Sequence, residues 1–235
     1  MIVYGRQAVR QALIGPRGVG PVWATSRAAL EPWLRGHEVE VVDAGTVQDR
    51  AGTESHQGMC AQVSEFSYVA EEELLGAPDP LILALDEVQD PQNLGAICRT
   101  AEAAGVTGVV VPERRSALVT AAVCRASAGA VEHLAIARVR NLADFLAAAK
   151  QAGCWCYGAA GDADVSYDAP DYSGGVVLIV GSEGAGLRPR VAAACDELVS
   201  IPLRGRVESL NVASATAVLL YEILQRRQEA LDTTP

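Results

Sequence analysis

From residue 81 onward, apolar runs and amphipathic stretches alternate with a steady period. The apolar runs lie near 81–85, 107–111, 134–138, 154–158, 176–180 and 198–201, and stretches of helical period fall near 94–104, 119–128, 141–152, 189–194 and 209–228. Strands apolar on both faces, each followed by a helix, predict an α/β fold with a parallel sheet covered by helices on both faces. Upstream, the short apolar runs 22–24, 39–42 and 59–63 are interleaved with amphipathic stretches at 6–14 and 27–35, which predicts a small α/β domain. The stiff, polar string Gly76-Ala77-Pro78-Asp79-Pro80 reads as punctuation between the two. The expected organisation is a first domain over 1–72, a linker over 73–80 and a second domain over 81–235.

A chain of 235 residues, half of them hydrophobic, can bury a core in each domain. No apolar run approaches the roughly 20 residues of a spanning helix, and Met1–Arg6 lacks the basic head and apolar stretch of a signal peptide; a cytoplasmic protein without membrane contact is expected. The six cysteines are scattered, and Cys154 and Cys156 are read as pointing to opposite faces of a strand, so neither a metal site nor a disulfide framework is expected. The net charge of −10 disfavours nonspecific embrace of a polyanion, because such affinity comes from basic side chains releasing counterions. Any nucleic-acid contact must therefore be local, and with Lys150 the single lysine it falls to the eighteen arginines.

In open parallel sheets, ligands sit beyond the carboxyl ends of the strands. Three loops there carry the chemistry. The first is 86–100, where Asn93 is placed at a helix N-cap and Arg99 more than a turn inside, with Leu94, Ile97, Ala101 and Ala104 facing the core. The second is 179–188, whose glycines at 181, 184 and 186 permit close backbone approach around Glu183 but lack the dinucleotide-binding order. The third is 201–215, where Ser209 is read as the N-cap of a long apolar helix and Asn211, a poor helix former, is read as having a polar task.

Together these loops resemble the three signature motifs of the SpoU, or TrmH-like, branch of the SPOUT RNA 2′-O-ribose methyltransferases. The resemblance spans 81–228 and is carried by Gly181-Ser182-Glu183-Gly184, by the run from Arg204 through Glu208 to Asn211, and by Ala126-Ser127-Ala128-Gly129-Ala130-Val131-Glu132-His133. Gly5, Ala8-Val9, Ala12-Leu13 and His56-Gln57-Gly58 resemble the L30e-like substrate-binding domain of the bacterial 23S rRNA guanosine 2′-O-methyltransferases. The resemblance implies a C-terminal trefoil knot, S-adenosyl-L-methionine as cofactor, structured RNA, ribosomal RNA foremost, as substrate, and a homodimer.

It further implies a site made of Asn93, Arg99, Glu183, Ser209 and Asn211, with cofactor contacts at Gly158, Ala159, Ala160, Gly181, Gly186, Ile201, Leu203 and Leu210. In the family Arg99 is assigned as the base; a guanidinium holds its proton at neutral pH, so gripping a phosphate and stabilising the alkoxide is the reading adopted for it. Asn93 and Ser209 would orient it or the ribose, and Glu183 and Asn211 would brace the loops. No metal is required, since a sulfonium releases a neutral leaving group. His56 and His133 are read as structural, His37 as a surface residue, and 162–171 as a solvated acidic loop. The helix 209–228 is too apolar around its circumference for a surface helix, so a partner subunit is expected to cover it, with Arg114 and Arg115 serving the neighbour's site. Competing expectations are a tRNA or antibiotic-resistance rRNA 2′-O-methyltransferase and, from another class, a non-catalytic RNA-binding protein.

Overall fold

A computed structural model describes residues 1–207 and 209–233; Glu208 of the third motif lies outside the described residues. Residues 1–63 form a four-stranded sheet of β1 (Ile2–Tyr4), β2 (Val19–Ala24), β3 (Val39–Val41) and β4 (Met59–Val63), in the order β1-β4-β2-β3. Helices α1 (Arg6–Ile14) and α2 (Ala44–Ala51) accompany it, and α3 (Glu71–Leu75) follows. The expected helix over 27–35 is instead two short 3-10 turns, Ala28–Leu30 and Pro32–Leu34. Pro32, which has no amide hydrogen, separates them. β1, α2 and α3 are too short to leave a periodic signature, and α3 crosses the expected linker boundary.

The larger sheet contains β5 (Leu81–Asp86), β6 (Gly108–Pro112), β7 (Ile136–Val139), β8 (Trp155–Ala159), β9 (Val165–Ser166), β10 (Val176–Gly181) and β11 (Glu197–Ser200). Its order is β7-β6-β5-β10-β8-β11-β9, and each neighbouring pair is parallel. β5, β6 and all of β10 but its last residue are buried, which is why their sequence shows unbroken apolar runs rather than alternation. The helices are α4 (Pro91–Ala103), α5 (Ala121–Ala126), α6 (Leu142–Gln151), α7 (Pro189–Ala192) and α8 (Val212–Thr233). Cys154 and Cys156 share one core layer with Phe145 and Leu146 rather than pointing oppositely, as residues two apart in extended chain must.

Two caps differ from expectation. α4 starts earlier than Asn93: Asp90 accepts hydrogen bonds from the amides of Gln92 and Asn93, and Pro91 occupies the first turn, where its missing donor costs nothing. α8 is capped by Asn211, whose Oδ1 accepts from the amides of Ala213 (2.9 Å) and Ser214 (3.3 Å), rather than by Ser209.

The two sheets are joined through packed side chains. One continuous apolar cluster runs from Val3, Val9 and Met59 to Leu94, Cys124 and Ile223. Arg17, just past α1, pairs with Glu132 in the 3-10 turn Ala130–His133; their side chains are 6% and 0% exposed. The Gly76–Pro80 segment is also held, because Arg227 of α8 donates to the carbonyls of Asp79 (3.1 Å) and Pro80 (3.2 Å). Among the described residues no helix is long and apolar enough to cross a membrane.

Candidate active site

β5 and β10 run parallel in a register that sets Gly181 beside Asp86, so the loops leaving them open at the same edge. Asp86, the fully buried last residue of β5, takes hydrogen bonds from the Arg188 backbone amide (2.8 Å) and Nε (2.7 Å). That bond and its charge raise the Arg188 pKa above the ordinary guanidinium value, against the opposing cost of burial. The pair fixes the far end of the glycine-rich loop. Inside that loop Ser182 and Gly186 exchange backbone hydrogen bonds of 3.1 and 3.0 Å, leaving Glu183 at the tip of a tight turn. A Cβ at Gly181 would lie 2.1 Å from the carbonyl carbon of Gly186, so this close approach of backbone to backbone requires glycine.

Glu183 is then met by the third loop. The Asn211 amide nitrogen donates to Glu183 Oε1 and, at 3.0 Å, to Asn93 Oδ1, while its carbonyl oxygen caps α8. One asparagine thus ties all three loops together using both ends of its amide, which is the polar task that its poor helix propensity pointed to.

Beside this cluster lies a cavity of about 150 Å³ lined by Ala159, Ala160, Gly161, Val199, Ile201, Leu203, Ser209, Leu210, Ala215 and Leu219. Five of the eight expected cofactor positions, together with Ser209, are in that lining. The other three sit in the supporting backbone: Gly181 and Gly186 within the tight turn, and Gly158 facing Leu187, Cys195 and Leu198. The lining is apolar apart from one hydroxyl, and carries no charge. Such a surface fits a flat, neutral heterocycle held by van der Waals contact and backbone groups.

Arg99 is not brought to this cavity. It is exposed, and lines a second cavity of about 310 Å³ with Gln7, Gln11, Glu102, Ser127, Ala128, Ala130 and His133. Asp86 and Arg188 are positioning residues that the sequence reading passed over; a lone carboxylate ending an otherwise apolar strand was the available signal. His56 is buried, with Nδ1 accepting from the Gly58 amide, a local structural role. Arg115 lies 3.5 Å from Glu87 of its own chain. Among the described residues no group of three or more His, Cys, Asp or Glu side chains is arranged to hold a metal ion.

An uncharged cavity at the carboxyl edge of a parallel α/β sheet, lined by the segments after β8 and β11 and by α8 and standing beside three polar loops that one amide links, defines a ligand-binding α/β protein. Residues 80–221 match the model of the SpoU rRNA Methylase family. The chain belongs to that family. It is 41% identical over 240 residues to the 23S rRNA (guanosine-2′-O-)-methyltransferase RlmB of Pseudomonas putida, covering 96% of each chain. It is 37% identical to an uncharacterized tRNA/rRNA methyltransferase of Synechocystis over 96% of this chain, but spans only 62% of that relative's length. The crystal structure of the SpoU methyltransferase AviRb from Streptomyces viridochromogenes in complex with AdoMet superposes with a TM-score of 0.82 at 25% identity, covering 96% of this chain and 89% of that one.

Proposed function

We propose that this protein methylates a ribose 2′-hydroxyl of a structured RNA, a guanosine of 23S ribosomal RNA, using S-adenosyl-L-methionine. The observation that carries the reading is the Asn211 bridge to Asn93 and Glu183 beside the uncharged cavity that Ser209 and Leu210 line. Ala159, Ala160, Ile201, Leu203 and Leu210 would hold the adenosine part of the cofactor, with the backbone of Gly158, Gly181 and Gly186 shaping the wall. When bound, the cofactor supplies an electrophilic methyl group on a sulfonium.

Asn93, Glu183 and Asn211 keep the loops in register, so the approach of the ribose oxygen is set before the RNA arrives. Ser209, the hydroxyl in the lining, orients the ribose. Arg99 grips a phosphate of the RNA; because it and Ser209 line different cavities, this part of its expected role has more support than contact with the alkoxide.

Residues 1–72 would form the RNA-facing domain and 81–235 the catalytic domain, with its chain threaded as a trefoil knot. In support, β8 lies between β10 and β11 in the sheet, and α8, which follows β11, packs against α4 in the same core layer. A homodimer in the cytoplasm completes the proposal: Val218 and Tyr221 of α8 are 39% and 54% exposed, an apolar face suited to a second copy. Light scattering at twice the 24.6 kDa chain mass supports the dimer, and a single-chain mass removes it.

The direct test is transfer of labelled methyl to 23S rRNA, with the product mapped by resistance of the modified linkage to alkaline hydrolysis. Modification at a single ribose supports the reading. Failure to retain S-adenosylmethionine in calorimetry refutes it.

A further inference from the structure

Two features that the methyl-transfer site leaves unused meet Arg99 at one place. The stretch Ser127–His133, helix α1 with Gln7 and Gln11, and Arg99 with Glu102 on α4 surround the 310 Å³ cavity. Its walls come from both parts of the chain, and no lining residue is shared with the cavity beneath Ser209.

The cavity is built tightly. Gly129 has φ +86°, and a Cβ there would lie 2.5 Å from the Cβ of Gln11, so α1 presses directly on this turn. Ala128, before it, holds a left-handed φ of +53°, a conformation L residues other than glycine avoid and one that concentrates at ligand-binding sites. His133 Nε2 lies 2.7 Å from Gln11 Oε1. An amide oxygen only accepts, so the histidine donates at that atom, which leaves both Gln11 amide hydrogens free to bond elsewhere.

Among the described residues, Gln7, Arg99 and Glu102 have no side-chain hydrogen bond or ion pair. Arg125, packed against Gly5 two residues before Gln7, has a buried Nε with no hydrogen-bond partner. A fixed amide donor, a second amide, a carboxylate and a free guanidinium around a pocket of this size match a nucleotide. The guanidinium suits the phosphate, and the two amides and Glu102 can pair with the donor and acceptor edge of an unstacked base. In a chain of net charge −10, an unpaired arginine in a polar cavity is also the kind of local contact that RNA binding demands.

We infer that this cavity is a second nucleotide subsite, which reads one unpaired base of the RNA other than the residue methylated, with Gln7 and Gln11 as specificity-determining residues. The inference rests on the RNA-methylating reading above.

The experiment compares the parent with Q7A/Q11A and H133A in steady-state methylation of a 23S rRNA transcript, with RNA varied at saturating S-adenosylmethionine. Cofactor affinity is measured in parallel by calorimetry. A set of transcripts substituted singly at each unpaired position near the methylated ribose reports base preference. Loss of two net hydrogen bonds should raise the KM for RNA about tenfold, leave kcat and cofactor affinity unchanged, and flatten the preference at one position. Gln11→Glu keeps the Cβ on Gly129 and an acceptor for His133 while removing the amide donors; it should raise KM likewise if the double variant is too unstable to assay. KM and preference equal to the parent's would overturn the subsite while the methyltransferase reading stands. A parent that methylates no RNA would take both down.

Discussion

The Arg17–Glu132 pair offers the sharpest test of how the two sheets are held together. Arg17 Nε donates to Glu132 Oε2 at 2.7 Å, and a second bond links Arg17 Nη2 to Glu132 Oε1. Nη1 reaches the Ser64 carbonyl at 3.1 Å, and the guanidinium lies 5.6 Å from the Phe66 ring centroid. Burial is the largest single influence on Arg17 and opposes its charge, yet the hydrogen bond and charge of Glu132, with smaller help from Cys124, together outweigh it and raise the guanidinium pKa. With the Glu132 side chain wholly buried, Arg17→Met would strand a carboxylate in the interior. Removing one partner of such a pair costs about 3–5 kcal/mol, whereas replacing both by apolar residues of similar volume is often neutral. For a chain of this length each kcal/mol moves Tm by roughly 2–4 °C, so R17M should melt about 6–20 °C below the parent. The double variant R17M/E132L should recover most of that loss. Thermal unfolding followed by circular dichroism for the four proteins of the cycle measures both quantities. If R17M melts within about 2 °C of the parent, or the double variant is as unstable as the sum of the singles, the pair does not hold the interface in this way.

Other consequences are as direct. Asn211→Asp keeps the oxygen that caps α8 but replaces the shared donor with a carboxylate facing Glu183; Tm should change by less than that of Asn211→Ala, which loses a cap worth about 1 kcal/mol, while methyl transfer falls in both. Gly181→Ala sets a methyl group against the Gly186 backbone and should cost about 1–3 kcal/mol together with cofactor affinity, read by calorimetry and melting. Burial pushes the thiols up, to about 11 for Cys60, Cys124 and Cys195 and about 12 for Cys98 and Cys156. The folded state therefore keeps protons that the unfolded chain releases near pH 9.0, so this contribution to stability is intact below that pH and declines as pH rises towards 12. At pH 8 a thiol reagent should modify half-buried Cys195 first and the five buried cysteines only on unfolding.

The strand and helix succession after residue 81 was legible because a parallel sheet covered on both faces forces its strands to be apolar at every position. β5, with six buried residues in a row, is the clearest example. The convergence of the three polar loops was legible for the same reason: parallel strands end at one edge, so the turns after β5, β10 and β11 must open together. Residue types marked Glu183 and Asn211 as polar positions that apolar packing does not explain, but their meeting with each other and with Asn93 was not legible. Cap positions were not legible, because Asp90, Asn93, Ser209 and Asn211 are all capable caps and only the backbone geometry selects among them.

Tertiary structure alone decided where Arg99 points. At about 100° per residue, six positions along α4 turn it roughly 120° away from Asn93, towards α1 and the turn at Gly129 rather than the cofactor cavity. It likewise decided that the small sheet is clamped to the large one by Arg17 and Glu132, residues 115 apart in sequence. Local patterning records which face of an element is buried. A pairing of charges across such a separation depends on how finished elements dock, and leaves no period in the chain to be read.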